Sequence, residues 1–145
     1  DPVVKYITDF ADAGADIITV HIEAEDDIRG AVELVRSLGK KAGIAINPET
    51  KIDTIIPFLD IIDQVIVMSV HPGSAGQPFI GDSIDRIGKI KALIANRDIL
   101  LEVDGGISSL CSQDCINAGC DILVAGSSIF NSNNYERSIS EIMGS

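Results

Sequence analysis

Apolar positions along this chain alternate between helical spacing and short continuous runs. Val3, Ile7 and Phe10 predict a first helix, with Asp1 placed to cap it, Pro2 in its first turn and Gly14 at its end. An apolar run over 17–22, broken only by Thr19 and His21, reads as a strand. Ile28, Val32, Val35 and Leu38 form the next stripe, stopped by Gly39. The alternation continues as a strand over 42–46 closed by Asn47-Pro48, a short helix carrying Ile52, Ile55, Ile56 and Leu59, and a strand over 64–70. Ile84, Ile87, Ile90 and Ile94 mark a helix, 99–103 a strand, 110–117 a helix, 121–125 a strand and 135–143 a last helix.

The predicted order is a helix followed by five strand–helix units in one domain, 1–145, with no linker or low-complexity tract. Strands this apolar are expected to be covered on both faces, as in parallel sheets. Gly14-Ala15-Asp16 and Gly119-Cys120-Asp121 both join a helix to a strand, in keeping with a repeated unit. Five strands do not close an eight-stranded barrel. The pattern alone leaves open a doubly wound sheet or part of a barrel.

Composition narrows the function classes. With 46% hydrophobic residues among 145, the chain can bury a core and disorder is excluded. Eleven basic against 22 acidic residues give a net charge of −11, which argues against nucleic acid and anionic membranes as partners. The same charge repels a phosphorylated ligand at long range, so a phosphate site must use local backbone donors. No apolar run reaches a membrane span and no secretory signal is seen. Cys111, Cys115 and Cys120 are an odd set, read as reduced, packed thiols. A cytoplasmic location is expected.

The chemistry concentrates at strand ends. Leu101-Glu102-Val103-Asp104-Gly105-Gly106-Ile107 ends an apolar strand in a carboxylate and two glycines. Val124-Ala125-Gly126-Ser127-Ser128-Ile129-Phe130 ends the next in a Gly-Ser pair that opens a short helix-like segment. Glycines let backbone N–H groups approach a phosphate closely, and the carboxylate can act on what that phosphate anchors. Functional groups of parallel α/β folds gather at this end of the strands. The small-residue loop Val70-His71-Pro72-Gly73-Ser74-Ala75-Gly76-Gln77-Pro78-Phe79 follows another strand and is suited to fold over a ligand. His21 reads either as a core histidine satisfied by a neighbour or, since a parallel strand end would aim His21 or Glu23 toward the mouth, as a site residue; neither receives a catalytic role. His71 is a candidate base or ligand on an exposed loop, and Glu102 an interior acid on the same strand face as Asp104.

On these residues the sequence resembles the ribulose-phosphate 3-epimerase family. Further matching stretches are Phe10-Ala11-Asp12-Ala13-Gly14-Ala15-Asp16, Val20-His21-Ile22-Glu23-Ala24, Lys41-Ala42-Gly43 with Asn47-Pro48, and Met68-Ser69 before the loop. They occur in the family's order over essentially the whole chain. The resemblance implies an α/β fold, a (β/α)8 TIM barrel of which this chain supplies about five βα units. It implies interconversion of ribulose 5-phosphate and xylulose 5-phosphate, a pentose phosphate pathway reaction. One divalent metal ion (Zn, Fe, Mn or Co) and two aspartates on opposite faces of the substrate are implied with it. Asp104 would be one acid/base aspartate and also a metal ligand. Met68 would line the substrate site, Gly73, Ser74, Ala75 and Gly76 would form the loop over it, and Gly105, Gly106, Gly126 and Ser127 would hold the phosphate. The partner is then a phosphorylated ketopentose, and a homo-oligomer is expected.

Two departures from the family matter. The loop reads His71-Pro72-Gly73-Ser74-Ala75-Gly76-Gln77, where the family usually has Asn-Pro-Gly-Phe-Gly-Gly-Gln. A related hexulose-phosphate 3-epimerase is therefore an alternative. Asp1-Pro2 also aligns just after the family's third barrel strand. The first three strands, the other aspartate and both metal-ligand histidines are not in these residues. The 145 residues alone are expected to bind metal poorly and to lack epimerase activity, and their open sheet edges to lead to self-association, covering by a partner chain or poor solubility. The second alternative is a non-catalytic fragment or sugar-phosphate-binding module.

Overall fold

A computed structural model describes residues 3–24, 27–73 and 76–144. Helix α1 (Val3–Asp12) leads to β1 (Ile17–His21), α2 (Ile28–Ser37), β2 (Lys41–Ile46) and a 3-10 helix (Ile52–Phe58). Then come β3 (Gln64–Met68), α3 (Ser83–Ile94), β4 (Leu100–Asp104), α4 (Ser112–Asn117), β5 (Ile122–Val124), α5 (Ser127–Phe130) and α6 (Tyr135–Met143). The five strands form one sheet in the order β1-β2-β3-β4-β5, every pair parallel. A doubly wound sheet reverses its strand order at a switch point and carries helices on both faces. Here each crossover steps one strand in the same direction, and right-handed crossovers then keep the helices on one face. The fold is an α/β arc of a TIM-type barrel, five strands of the eight such a barrel has.

The helix-facing side chains form the core. Ile18, Val20, Ile44, Ile46, Val65, Val67, Leu101 and Val103 are buried against Ile7, Val32, Val35, Ile87, Ile90 and Ile94. The expectation that all strands are covered on both faces is corrected. β2 is buried along nearly its whole length, but on the concave face Thr19, His21, Met68, Glu102 and Asp104 are only half-buried, and Leu100 and Val124 are exposed. Polar residues interrupt the apolar runs on that face.

Several boundaries also move. Phe10, expected in the first stripe, is 60% exposed, because α1 buries Ile7 and Ala11, one turn apart, and Phe10 falls beside that line. The caps assigned to Asp1 and Pro2 lie outside the described residues. The segment at Ile52 is a 3-10 helix that contains Pro57, whose missing N–H and ring oppose an α-helical turn. β3 ends at Met68 rather than at residue 70, and β4 extends to Asp104. Leu110 is 92% exposed and precedes α4, since residues 108–111 form the turn that starts that helix.

A polar ladder crosses the concave face. Thr19 Oγ1 donates to Gln64 Oε1 (3.3 Å), and Gln64 Nε2 donates to Glu102 Oε2 (2.5 Å). Between β1 and β3 lies Gly43, in register with both Thr19 and Gln64. A Cβ there would press on Thr19 Oγ1 and lie 3.2 Å from Gln64 Oε1. Gly43→Ala is therefore expected to cost about 1–3 kcal/mol by overpacking and by breaking the ladder. Urea unfolding measures this, and an unchanged midpoint would show that Thr19 turns aside without cost.

Candidate active site

The carboxyl ends of β3, β4 and β5 open on a cleft of about 290 Å³. Asp104 is the last residue of β4, in register with Met68 on one side and Val124 on the other, so all three side chains share the concave face. Its backbone is fixed, since the Asp104 carbonyl accepts from Ser69 N (2.8 Å) and Ser69 Oγ (3.0 Å). Burial pushes the Asp104 carboxyl above the ordinary range, opposed by the charge of His21.

Gly105 and Gly106 follow with φ of +125° and +66°, conformations that disfavour a side chain. They are also clamped. A Cβ on Gly105 would stand 2.6 Å from Val70 Cγ2, and one on Gly106 would stand 2.6 Å from Phe79 N. The buried Ser69 hydroxyl donates to Gly105 O at 2.6 Å. Ser128 Oγ donates to Ile107 O at 2.6 Å and ties this turn to α5, which starts after Gly126. The cleft floor is thus two glycine turns, one tied to the end of β3 by the buried Ser69 hydroxyl and both joined by the half-buried Ser128 hydroxyl. The first N–H groups of a helix lack intrahelical partners and suit an anion.

Met68, Gly73, Gly76, Asp104, Gly105, Gly106, Gly126 and Ser127, all singled out in the sequence, line this one cleft. Ser74 and Ala75 lie outside the described residues. The structure adds Val70, Pro72 and Gln77, members of the loop read as covering a ligand but not assigned to the site one by one, and Val124, which sequence reasoning missed. Only the parallel register opposite Asp104 would have pointed to Val124. No Lys or Arg is among the described lining residues. His71 reaches the rim, but its Nδ1 pairs with Glu49 Oε1 at 2.5 Å, and its carbonyl accepts from Gln77 Nε2 at 2.8 Å.

Glu102 lies one step below Asp104 on the same face. Burial, and then the charge of Asp104, push its carboxyl above the ordinary range. A raised folded-state value means the fold prefers the acid form. That stabilisation is complete below the unfolded value of about 4.3 and is lost as pH rises through the folded value. Glu102→Gln, whose carbonyl can still accept from Gln64, is expected to raise Tm at neutral pH and to give no gain well below pH 4. Melting curves at the two pH values check the sign.

At the end of β1, Glu23 Oε1 accepts from Asn47 N (2.8 Å) and from the Thr50 hydroxyl, and Glu23 Oε2 lies 3.3 Å from His21 Nδ1. Arg86 of α3 holds the same turn from below, donating from Nη2 to Asn47 O (3.1 Å) and Thr50 O (2.9 Å). Burial would raise the Glu23 carboxyl, but hydrogen bonds from Thr50, Asn47, its own backbone and His21 outweigh it and hold the group below its usual range.

Other chemistry is sparse. The three cysteines are free. Burial pushes the Cys115 thiol up to about 12 and the Cys120 thiol up to about 11, so both are poor nucleophiles. Among the described residues no three His, Cys, Asp or Glu side chains gather as a metal site. Asp104 offers one carboxylate, so these residues do not by themselves fit the divalent ion that the resemblance implies. No described helix is long and apolar enough to cross a membrane.

The sequence profile of the Ribulose-phosphate 3 epimerase family matches residues 1–130. The chain belongs to that family. Ribulose-phosphate 3-epimerase of Bacillus subtilis (strain 168) is 39% identical over 144 residues, covering 97% of this chain and 66% of the relative. That of Rhodobacter capsulatus is 42% identical over 129 residues, covering 89% and 56%. The chain thus spans less than two thirds of the length of these epimerases. Among solved structures, 3-hexulose-6-phosphate synthase from Salmonella typhimurium superposes with a TM-score of 0.74 at 22% identity, over 99% of this chain and 67% of that one. At that identity the likeness speaks for the fold alone.

Proposed function

We propose that this chain is the catalytic-aspartate and phosphate-binding part of a ribulose-phosphate 3-epimerase. The observation that carries this reading is the single cleft in which Asp104 stands beside two glycine turns and Met68. The phosphate of ribulose 5-phosphate sits on backbone N–H groups of Gly105, Gly106, Gly126 and Ser127. That placement brings the sugar carbons to Asp104, with Met68 as an apolar wall and Gly73 and Gly76 at the rim. Asp104 takes the proton from C3, next to the ketone, and an enediolate forms. A proton delivered to the other face of C3 gives xylulose 5-phosphate. Return from the same face regenerates the substrate.

A carboxyl that must both take and give a proton works best with its pKa drawn toward working pH, and burial moves Asp104 in that direction. The described cleft carries one carboxylate, so the acid for the opposite face and further ligands for a divalent ion come from outside it. The reading therefore applies to a protein in which the remaining barrel strands complete the site. We assign it to the cytoplasm, since three free thiols suit a reducing compartment, and expect it to form homo-oligomers. The test is turnover in deuterated water. Conversion of ribulose 5-phosphate with deuterium entering only at C3 is expected. Conversion without exchange at C3, or turnover confined to a hexulose phosphate, would refute the assignment.

A further inference from the structure

We propose that His21, oriented by Glu23, binds the hydroxyl end of the sugar phosphate, the end remote from the phosphate. This inference rests on the sugar-phosphate reading above and extends it to the opposite side of the mouth.

The geometry is a built one. His21 ends β1 on the concave face, and its in-register neighbour on β2 is Ala45, whose methyl group leaves that side of the ring uncovered. The imidazole side chain is 43% exposed. An exposed imidazole needs no partner for the sake of the fold. Yet Glu23 is held against it by Asn47 N and Thr50, and that turn is clamped by Arg86 from another element. With Nδ1 turned to the carboxylate, Nε2 is left to a ligand, the usual way a second group fixes an imidazole's tautomer and aim. The small cleft bounded by His21, Ala24, Asn47 and Pro72 adjoins the Asp104 cleft, because Pro72 borders both.

The chemistry selects the ligand end. Glu23 stays ionised beside the imidazole, so a second anion is repelled there. A neutral hydroxyl is not, and it can both donate and accept. The phosphate is served by the glycine turns of β4 and β5, so the sugar chain runs from them past Asp104 toward β1.

The test compares two ligands on the protein that carries this chain in a complete barrel. Calorimetric titration measures binding of D-ribulose 5-phosphate and of inorganic phosphate. One lost hydrogen bond corresponds to roughly tenfold in affinity. His21→Ala is expected to weaken ribulose 5-phosphate about tenfold and phosphate less than twofold, and His21→Gln to recover much of the loss. Glu23→Gln should weaken the sugar phosphate selectively while leaving the imidazole in place. Equal weakening of both ligands marks a structural role and overturns the proposal, as does no weakening of either. Should His21→Ala fail to fold, His21→Gln and Glu23→Gln decide by the same ratio. Wild-type protein that binds ribulose 5-phosphate without converting it would refute the epimerase reading alone. Wild-type binding no tighter than that of phosphate would overturn this proposal.

Discussion

Asp104→Asn is expected to lower turnover of ribulose 5-phosphate by about 10²–10⁴-fold or more while leaving the protein folded and no less stable. The two halves of that result have one cause. Burial raises the Asp104 carboxyl, so the fold favours its uncharged form. The stabilisation linked to that group is present below the unfolded value, about 3.9, and is lost as pH rises through the folded value. At neutral pH the charged side chain is a cost, which Asn removes. Its backbone role survives, because Ser69 bonds to the main-chain carbonyl and not to the side chain. A purified variant should melt at or above the wild-type temperature and show no proton exchange at C3. Turnover within threefold of wild type would remove Asp104 from the mechanism. Loss of activity together with a lowered Tm would show a structural role instead.

The features legible in the sequence were those written in local pattern. All five strands and the helices over Val3–Asp12, Ile28–Ser37, Ser83–Ile94 and Tyr135–Met143 follow from apolar spacing and from glycine or Asn-Pro stops. The barrel was not legible from spacing, because a parallel sheet in any strand order shows the same apolar runs. The sequential order of the strands separates an arc of a barrel from a doubly wound sheet. Boundaries failed where a single residue overrides a stripe, as with Pro57, or where a turn precedes a helix, as before Ser112.

The site divides in the same way. Asp104 and the two glycine turns were visible because they sit at strand ends, where parallel folds gather function, whereas Met68 entered through the family resemblance alone. The clamp of Glu23 and Arg86 on the turn at Asn47 was not. Its members are far apart in sequence and each has an ordinary local context, so only the packing of α3 on β3 and β4, which brings Arg86 to the turn after β2, joins them. Phe10 and Leu110 mark the limit in the other direction. Phe10 was expected on an apolar stripe and Leu110 at the start of a helix, but helix phase and a turn leave both in solvent.

On the proposed reading, a cleft with no Lys or Arg among its described lining residues must hold a sugar phosphate through close backbone approach, and two glycine variants test this separately from folding. Gly126 has φ of −110°, and nothing lies within 4 Å of where its Cβ would be. Gly126→Val meets no neighbour, so it should lose less stability than Gly106→Val despite a ψ of −87°, while its methyl groups occupy the cleft, weakening inorganic phosphate and raising KM about tenfold or more, with kcat less affected. Gly106 differs in both respects. Its φ is +66°, and a Cβ would stand 2.6 Å from Phe79 N and 2.8 Å from Gln77 O, backbone atoms that cannot swing away. Gly106→Val should lose phosphate affinity and about 2 kcal/mol or more of stability together. The pair of results is diagnostic because the two glycines line one cleft but differ in what surrounds them. Normal phosphate binding by a folded Gly126→Val protein would mean that the anion is held elsewhere, and the backbone-amide site would have to be abandoned.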